Sequence, residues 1–193
     1  MIRDKNIEYK YMNLWLPGGS FDLISGSNGP VDPMDAVDKL AELGSTGIVG
    51  LTLADGIGDE AGFITMPTPT YIDWDNDVFY RVLYGANNTT STSFELSASE
   101  TAFGAAPKLI GDVTAFATCT STPVANVLSA TPWAKTDSST TDGVAGTSDM
   151  LRFHVKCTAN TGGGIIMVGL EIRYLPKLTN GPQVNNQPAP TDA

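Results

Sequence analysis

Residues able to do chemistry are few and scattered. His154 is the only histidine. It alternates with Arg152 and Lys156 in LRFHVKC, which places it on the outward face of a strand. A serine hydrolase needs its imidazole beside a serine nucleophile, and the chain has no G-x-S-x-G elbow. His154 therefore reads as a solvated or interface residue and not as a general base. Asp73, Asp75 and Asp77 in IDWDND have the alternation of a calcium loop. The sixth position is Val78 where Gly is needed, and the twelfth is Tyr84 in place of a bidentate Glu. A polar loop ahead of a strand is the preferred reading, with a looser Ca²⁺ site as the lesser one. Asp55, Asp59 and Glu60 form a second acidic loop. Glu95 and Glu171 lie in strand-like runs and have the residue type of a glycosidase pair, but nothing else marks them. Gly162, Gly163 and Gly164 lead into a strand, without the Lys-Ser/Thr that a phosphate loop requires.

Trp15, Trp74 and Trp133 can stack on a sugar face, which keeps carbohydrate binding open. Tryptophans serve as readily as core or interface anchors. Cys119 and Cys157 sit among strand residues and read as small buried apolar groups. A disulfide between neighbouring strands is the lesser option. Two thiols and one histidine cannot complete a structural zinc site alone. We expect no metal, no cofactor and no catalysis.

The elements that position these residues follow from periodicity. From Asp149 to Leu175, Leu151, Phe153, Val155 and Cys157 alternate with charged residues. Past the glycine turn, Ile166, Val168, Leu170, Ile172 and Tyr174 form an apolar face, with Glu171 and Arg173 opposite. The expectation is a hairpin at the centre of a β-sandwich. A second hairpin is expected over residues 77–98, where Val78, Tyr80, Val82 and Tyr84 precede Phe94, Leu96 and Ala98. Further strands are expected in GIVGLTLA, AGFITMP, Leu109–Thr120 and Asn126–Lys135, the last anchored by Trp133. One short helix is expected near residues 33–43. Asp32 would cap it, Pro33 would open it and Gly44 would stop it. Met34, Val37, Leu40, Ala41 and Leu43 would be its apolar face. Residues 1–16 read as an N-terminal arm or edge strand, 17–177 as the sandwich domain, and 178–193 as an extended or disordered tail rich in Pro, Asn and Gln.

The chain has 193 residues, enough to bury a core as one all-β domain. Charged residues make up 17%, and the formal net charge is −10. Phosphate binding needs clustered Lys and Arg, and no basic run occurs, so nucleic acid is not an expected partner. No stretch approaches the ~20 apolar residues of a membrane span. The charged opening MIRDKNIEYKYMNLW lacks a secretory core, so synthesis in a cytoplasm and a soluble protein are expected.

Three segments carry a resemblance: RDKNIEYKYMNLWLPGGSFD with GIVGLTLADG, then WDNDVFYRVLYGANNTTSTSFELSAS, then VGLEIRYLPK. They resemble small β-sandwich virion proteins of tailed bacteriophages. The resemblance implies a jelly-roll-like domain that decorates and cements the capsid exterior, commonly as a homotrimer bound to the major capsid protein. A tail or fibre-associated adaptor is the neighbouring alternative, and a carbohydrate-binding host-recognition module a further one. Tyr9, Tyr11 and Trp15 in the opening segment are the candidate interface residues.

Overall fold

A computed structural model describes residues 11–24, 40–53, 61–106, 115–136, 144, 146–159 and 164–177. In chain order the strands are β1 (Met12–Pro17), β2 (Asp22–Ile24), β3 (Leu40–Glu42), β4 (Val49–Leu53), β5 (Ala61–Pro67), β6 (Val78–Ala86), β7 (Thr92–Thr101), β8 (Ala115–Ser121), β9 (Ser129–Ala130), β10 (Ala134–Thr136), β11 (Met150–Ala159) and β12 (Ile165–Tyr174). A 3-10 turn spans Gly18–Ser20.

The strands form two antiparallel sheets. The larger runs β10-β6-β12-β4-β3, with β1 also on β12 and β9 also on β6. The smaller runs β2-β5-β11-β7-β8. The pairs β4·β12, β5·β11, β6·β10 and β7·β8 are all antiparallel. One long ribbon, β4 to β7 against β8 to β12, thus folds over on itself and alternates between sheets. That is the jelly-roll expected from the resemblance.

The core lies between the sheets. Val78, Tyr80, Val82 and Tyr84 of β6 face Leu151, Phe153, Val155 and Cys157 of β11 and Phe94 and Leu96 of β7, and all are buried. Tyr80 meets Phe116 and Phe153 at ring separations of 4.9 and 5.8 Å, and Tyr84 meets Phe94 at 4.9 Å. These are favourable tilted aromatic contacts.

Both expected hairpins are corrected. β11 and β12 lie in different sheets, as do β6 and β7. Each strand has one apolar inner face, so each pair meets face to face across the core and not edge to edge. The inner face of β12 is also corrected. Ile165 and Met167 are buried in the core beside Leu170, Ile172 and Tyr174, while Val168 is only half-buried. A bulge between Met167 and Gly169 shifts the alternation by one residue. At that point β12 changes neighbour, from β4 along Ile165–Met167 to β1 along Gly169–Tyr174.

The expected helix over 33–43 is corrected where it can be seen. Residues 40–42 form β3, paired with Leu51, Gly50 and Val49. Residues 33–39 lie outside the described residues. Leu43 is buried against Gly85, and Gly44 takes φ +57° as part of a turn. The last part of the expected edge strand is β1, a strand of the domain's own sheet. Tyr9 and the tail 178–193 lie outside the described residues.

Candidate functional site

The outer face of the larger sheet brings several polar and aromatic side chains together. β1 and β12 pair so that Trp15 faces Glu171 and Asn13 faces Arg173. β12 and β6 then set Glu171 beside Arg81 and Arg173 beside Phe79. β10 sets Lys135 beside Phe79. Alternation sends all of these away from the core, because their neighbours Leu16, Leu170, Ile172, Tyr80 and Val82 are buried. Two rows result: Trp15, Glu171 and Arg81, leading to Trp133; then Asn13, Arg173, Phe79 and Lys135.

Trp15 is 42% exposed. The six-membered edge of its indole occupies the space a side chain at position 169 would fill, and the carbonyl of Leu16 lies 2.6 Å from that same point. Only glycine there lets the ring rest against the sheet, with the remainder open to solvent. Next to it Arg81 Nε donates to Glu171 Oε2 at 2.6 Å, and the Glu171 side chain is 12% exposed. Arg173 Nε donates to Asn13 Oδ1 at 3.1 Å. The guanidinium carbons of Arg81 and Arg173 each lie 4.4 Å from the centre of the Trp133 ring, within cation–π range. Lys135 Nζ pairs with Asp77 Oδ2 at 3.1 Å. Tyr11 meets Phe79 edge-on at 5.6 Å. The face therefore offers a stacking surface edged by charged donors and acceptors held in fixed positions.

Trp15 and Tyr11 are thus where a partner can reach them. Trp74 is not. It is 7% exposed, and its Nε1 donates to the Pro69 carbonyl at 3.1 Å. It is a core anchor and no sugar platform. Trp133, expected as the apolar anchor of a strand, lies half-buried on the outer face between the two arginines, flanked by the short strands β9 and β10.

The remaining candidates are not brought together. Glu95 lies between buried Phe94 and Leu96 on the outer side of the smaller sheet, while Glu171 is on the outer side of the larger. The whole core separates them, so they cannot flank one bond as a glycosidase pair must. Asp73 accepts from Asp75 N and Asn76 Nδ2, which closes the loop on itself. Among the described residues no three His, Cys, Asp or Glu gather as metal ligands. Asp55, Asp59 and Glu60 lie outside the described residues. Cys119 and Cys157 are buried free thiols. Each is the register partner of Phe94 from an opposite side. They are therefore two strands apart, about 10 Å, too far for a disulfide. Burial raises both thiols, Cys157 to about 11.

His154 also departs from expectation. It takes the outer face of the smaller sheet, as alternation requires, yet it is 5% exposed. Phe63 meets it edge-on at 6.5 Å, and its Nε2 is buried without a hydrogen-bond partner among the described residues. Burial, joined by the nearby charge of Arg152, lowers its pKa to about 4.

Arg81, Arg173, Asn13, Phe79 and Gly169 were not singled out by the sequence as site residues. Alternation with buried neighbours marks Arg81, Arg173 and Phe79 as outward. Only the register between β1, β12 and β6 shows that they converge.

No family model matches the chain, and no curated protein matches it. Several solved structures do. The CBM36-1 domain of a multidomain xylanase from the hindgut metagenome of Trinervitermes trinervoides is similar at 10% identity and a TM-score of 0.47, over 86% of this chain and 100% of that one. The CBM22-1–GH10 modules of Clostridium thermocellum xylanase 10B, complexed with xylohexaose, are similar at 16% identity and a TM-score of 0.42, over 89% of this chain and 27% of that one. The insecticidal delta-endotoxin Cry8Ea1 of Bacillus thuringiensis is similar at 6% identity and a TM-score of 0.39, over 66% of this chain and 19% of that one. None of these three is a phage protein, and likeness at this level carries neither ligand nor activity across to the chain.

Proposed function

We propose that the protein is a non-catalytic carbohydrate-binding domain that holds glycans on the outer face of its larger sheet. Trp15 carries the proposal. An indole laid against glycine and open on the other side matches the apolar face of a sugar ring. The neighbouring Glu171, Arg81, Asn13 and Arg173 supply acceptors and donors for ring hydroxyls, and their mutual bonds fix them before a ligand arrives, which lowers the cost of binding. A soluble glycan array probes this directly. Trp15→Ala is expected to weaken any hit about tenfold or more, as loss of a central aromatic anchor does, with the fold kept by circular dichroism. Hits that ignore the substitution, or an array with none, would sink the proposal.

A second reading rests on the segments that resemble phage virion proteins. Tyr11 and Trp15 are 47% and 42% exposed on that outer face, two aromatic side chains that suit a protein neighbour. Here the face would seat a major capsid protein or other copies of this chain in a trimer on the virion. Light scattering behind size-exclusion chromatography tests the trimer, and a strict monomer at micromolar concentration counts against it.

A further inference from the structure

We infer that the glycan is acidic, and that Arg173 reads a carboxylate on it; this deepens the carbohydrate reading and rests on it. The chain carries 21 acidic residues against 11 Lys and Arg, so acids are plentiful partners for any cation. Two of the three cations described on this face have one. Arg81 bonds Glu171 at 2.6 Å, and Lys135 bonds Asp77 at 3.1 Å. Arg173 does not. Its Nε is held by the neutral amide oxygen of Asn13, and the Trp133 ring lies 4.4 Å away. Both contacts fix the guanidinium in place, and neither removes its charge. Its two terminal NH₂ groups have no acceptor among the described residues. A planar fork with that pair of donors open matches a carboxylate two-handed, which an ammonium cannot do.

Placement agrees with the stacking surface. Asn13 and Arg173 form the row next to Trp15 and Glu171, two residues further along the strands, or about 7 Å. A chain stacked on Trp15 and running along β1 brings a neighbouring unit over Arg173. The net charge of −10 does not cancel this attraction, because exposed charges beyond about 8 Å are largely screened at physiological salt. The contact itself is short-range.

Affinity electrophoresis or calorimetry tests the inference with polygalacturonate, alginate and hyaluronan, each beside its carboxyl-reduced product, and with dextran sulfate and neutral xylan. The protein is expected to bind at least one carboxylated chain about tenfold or more tighter than its reduced product. Arg173→Gln is expected to close that gap, because it costs the acid chain far more than it costs the reduced product. Arg173→Lys, which keeps charge and loses the fork, is expected to recover only part of it. Trp15→Ala is expected to remove both. Equal binding of acid and reduced forms, binding of neutral or sulfated chains alone, or indifference to both Arg173 variants would overturn the carboxylate and leave the platform standing. No binding to any chain would overturn the platform too.

Discussion

His154 shows how a single side chain can tie stability to pH. Its folded pKa of about 4 lies below its ordinary 6.5. Between these values the unfolded chain binds a proton that the folded chain refuses. Stability from this group is complete above pH 6.5 and is lost as pH falls through the window to 4. The gap corresponds to roughly 3 kcal/mol. Urea melts at pH 7.5 and pH 4.5 should therefore show a smaller acid loss in His154→Phe than in the parent, by about that amount. An unchanged pH dependence in the variant would contradict the burial. The alternation of LRFHVKC was enough to place His154 on an outer face. It was not enough to show the face dry at that point, because a period of two names the side of a sheet and says nothing of what covers it. The same limit explains the tryptophans. Type and spacing made three equal candidates, and only the register of β1 on β12 separates exposed Trp15 from buried Trp74.

Among elements, β12 departs most from simple alternation. Its bulge lets Ile165 and Met167 join Leu170, Ile172 and Tyr174 on one side. Deleting Val168 removes the extra residue, and strict alternation then keeps Ile165 and Met167 on the inner side with Leu170, Ile172 and Tyr174. The deletion variant should therefore fold and melt within a few degrees of the parent, as read by circular dichroism. A melting temperature far below the parent's would mean that the bulge does more than set the phase. Strand positions were largely legible, since Val49–Leu53, Ala61–Pro67, Val78–Ala86 and Met150–Ala159 all show in the residue pattern. Their pairing was not. A glycine or polar turn reverses the chain equally well within a sheet or between two sheets. The region around Leu40 and Leu43 failed for a related reason: over so few residues, spacings of two and of three to four overlap, and Ala41 and Leu43 satisfy both.

For the molecule as a whole, the jelly-roll makes most contacts non-local. Arg81 and Glu171 are 90 residues apart, and Asn13 and Arg173 are 160 apart. No local piece of the sandwich can be lost without opening its core. Cys119 and Cys157 report on this, because each borders Phe94 from a different strand. With burial holding both thiols protonated, native protein should resist thiol reagents. In mild denaturant the two should label at one common rate, that of global opening, as read by mass spectrometry of the modified peptides. Separate rates would reveal strands of the smaller sheet that open independently of one another.

The position of β12 has a consequence for synthesis. It is the common neighbour of β1, β4 and β6, all of which leave the ribosome before it. Until Tyr174 has emerged, those three strands wait with unpaired backbone along the side it will occupy, the arrangement that invites pairing with other nascent chains. Chains stalled or cut ahead of Ile165 should therefore be the sticky ones, and one finished strand the event that ends the hazard.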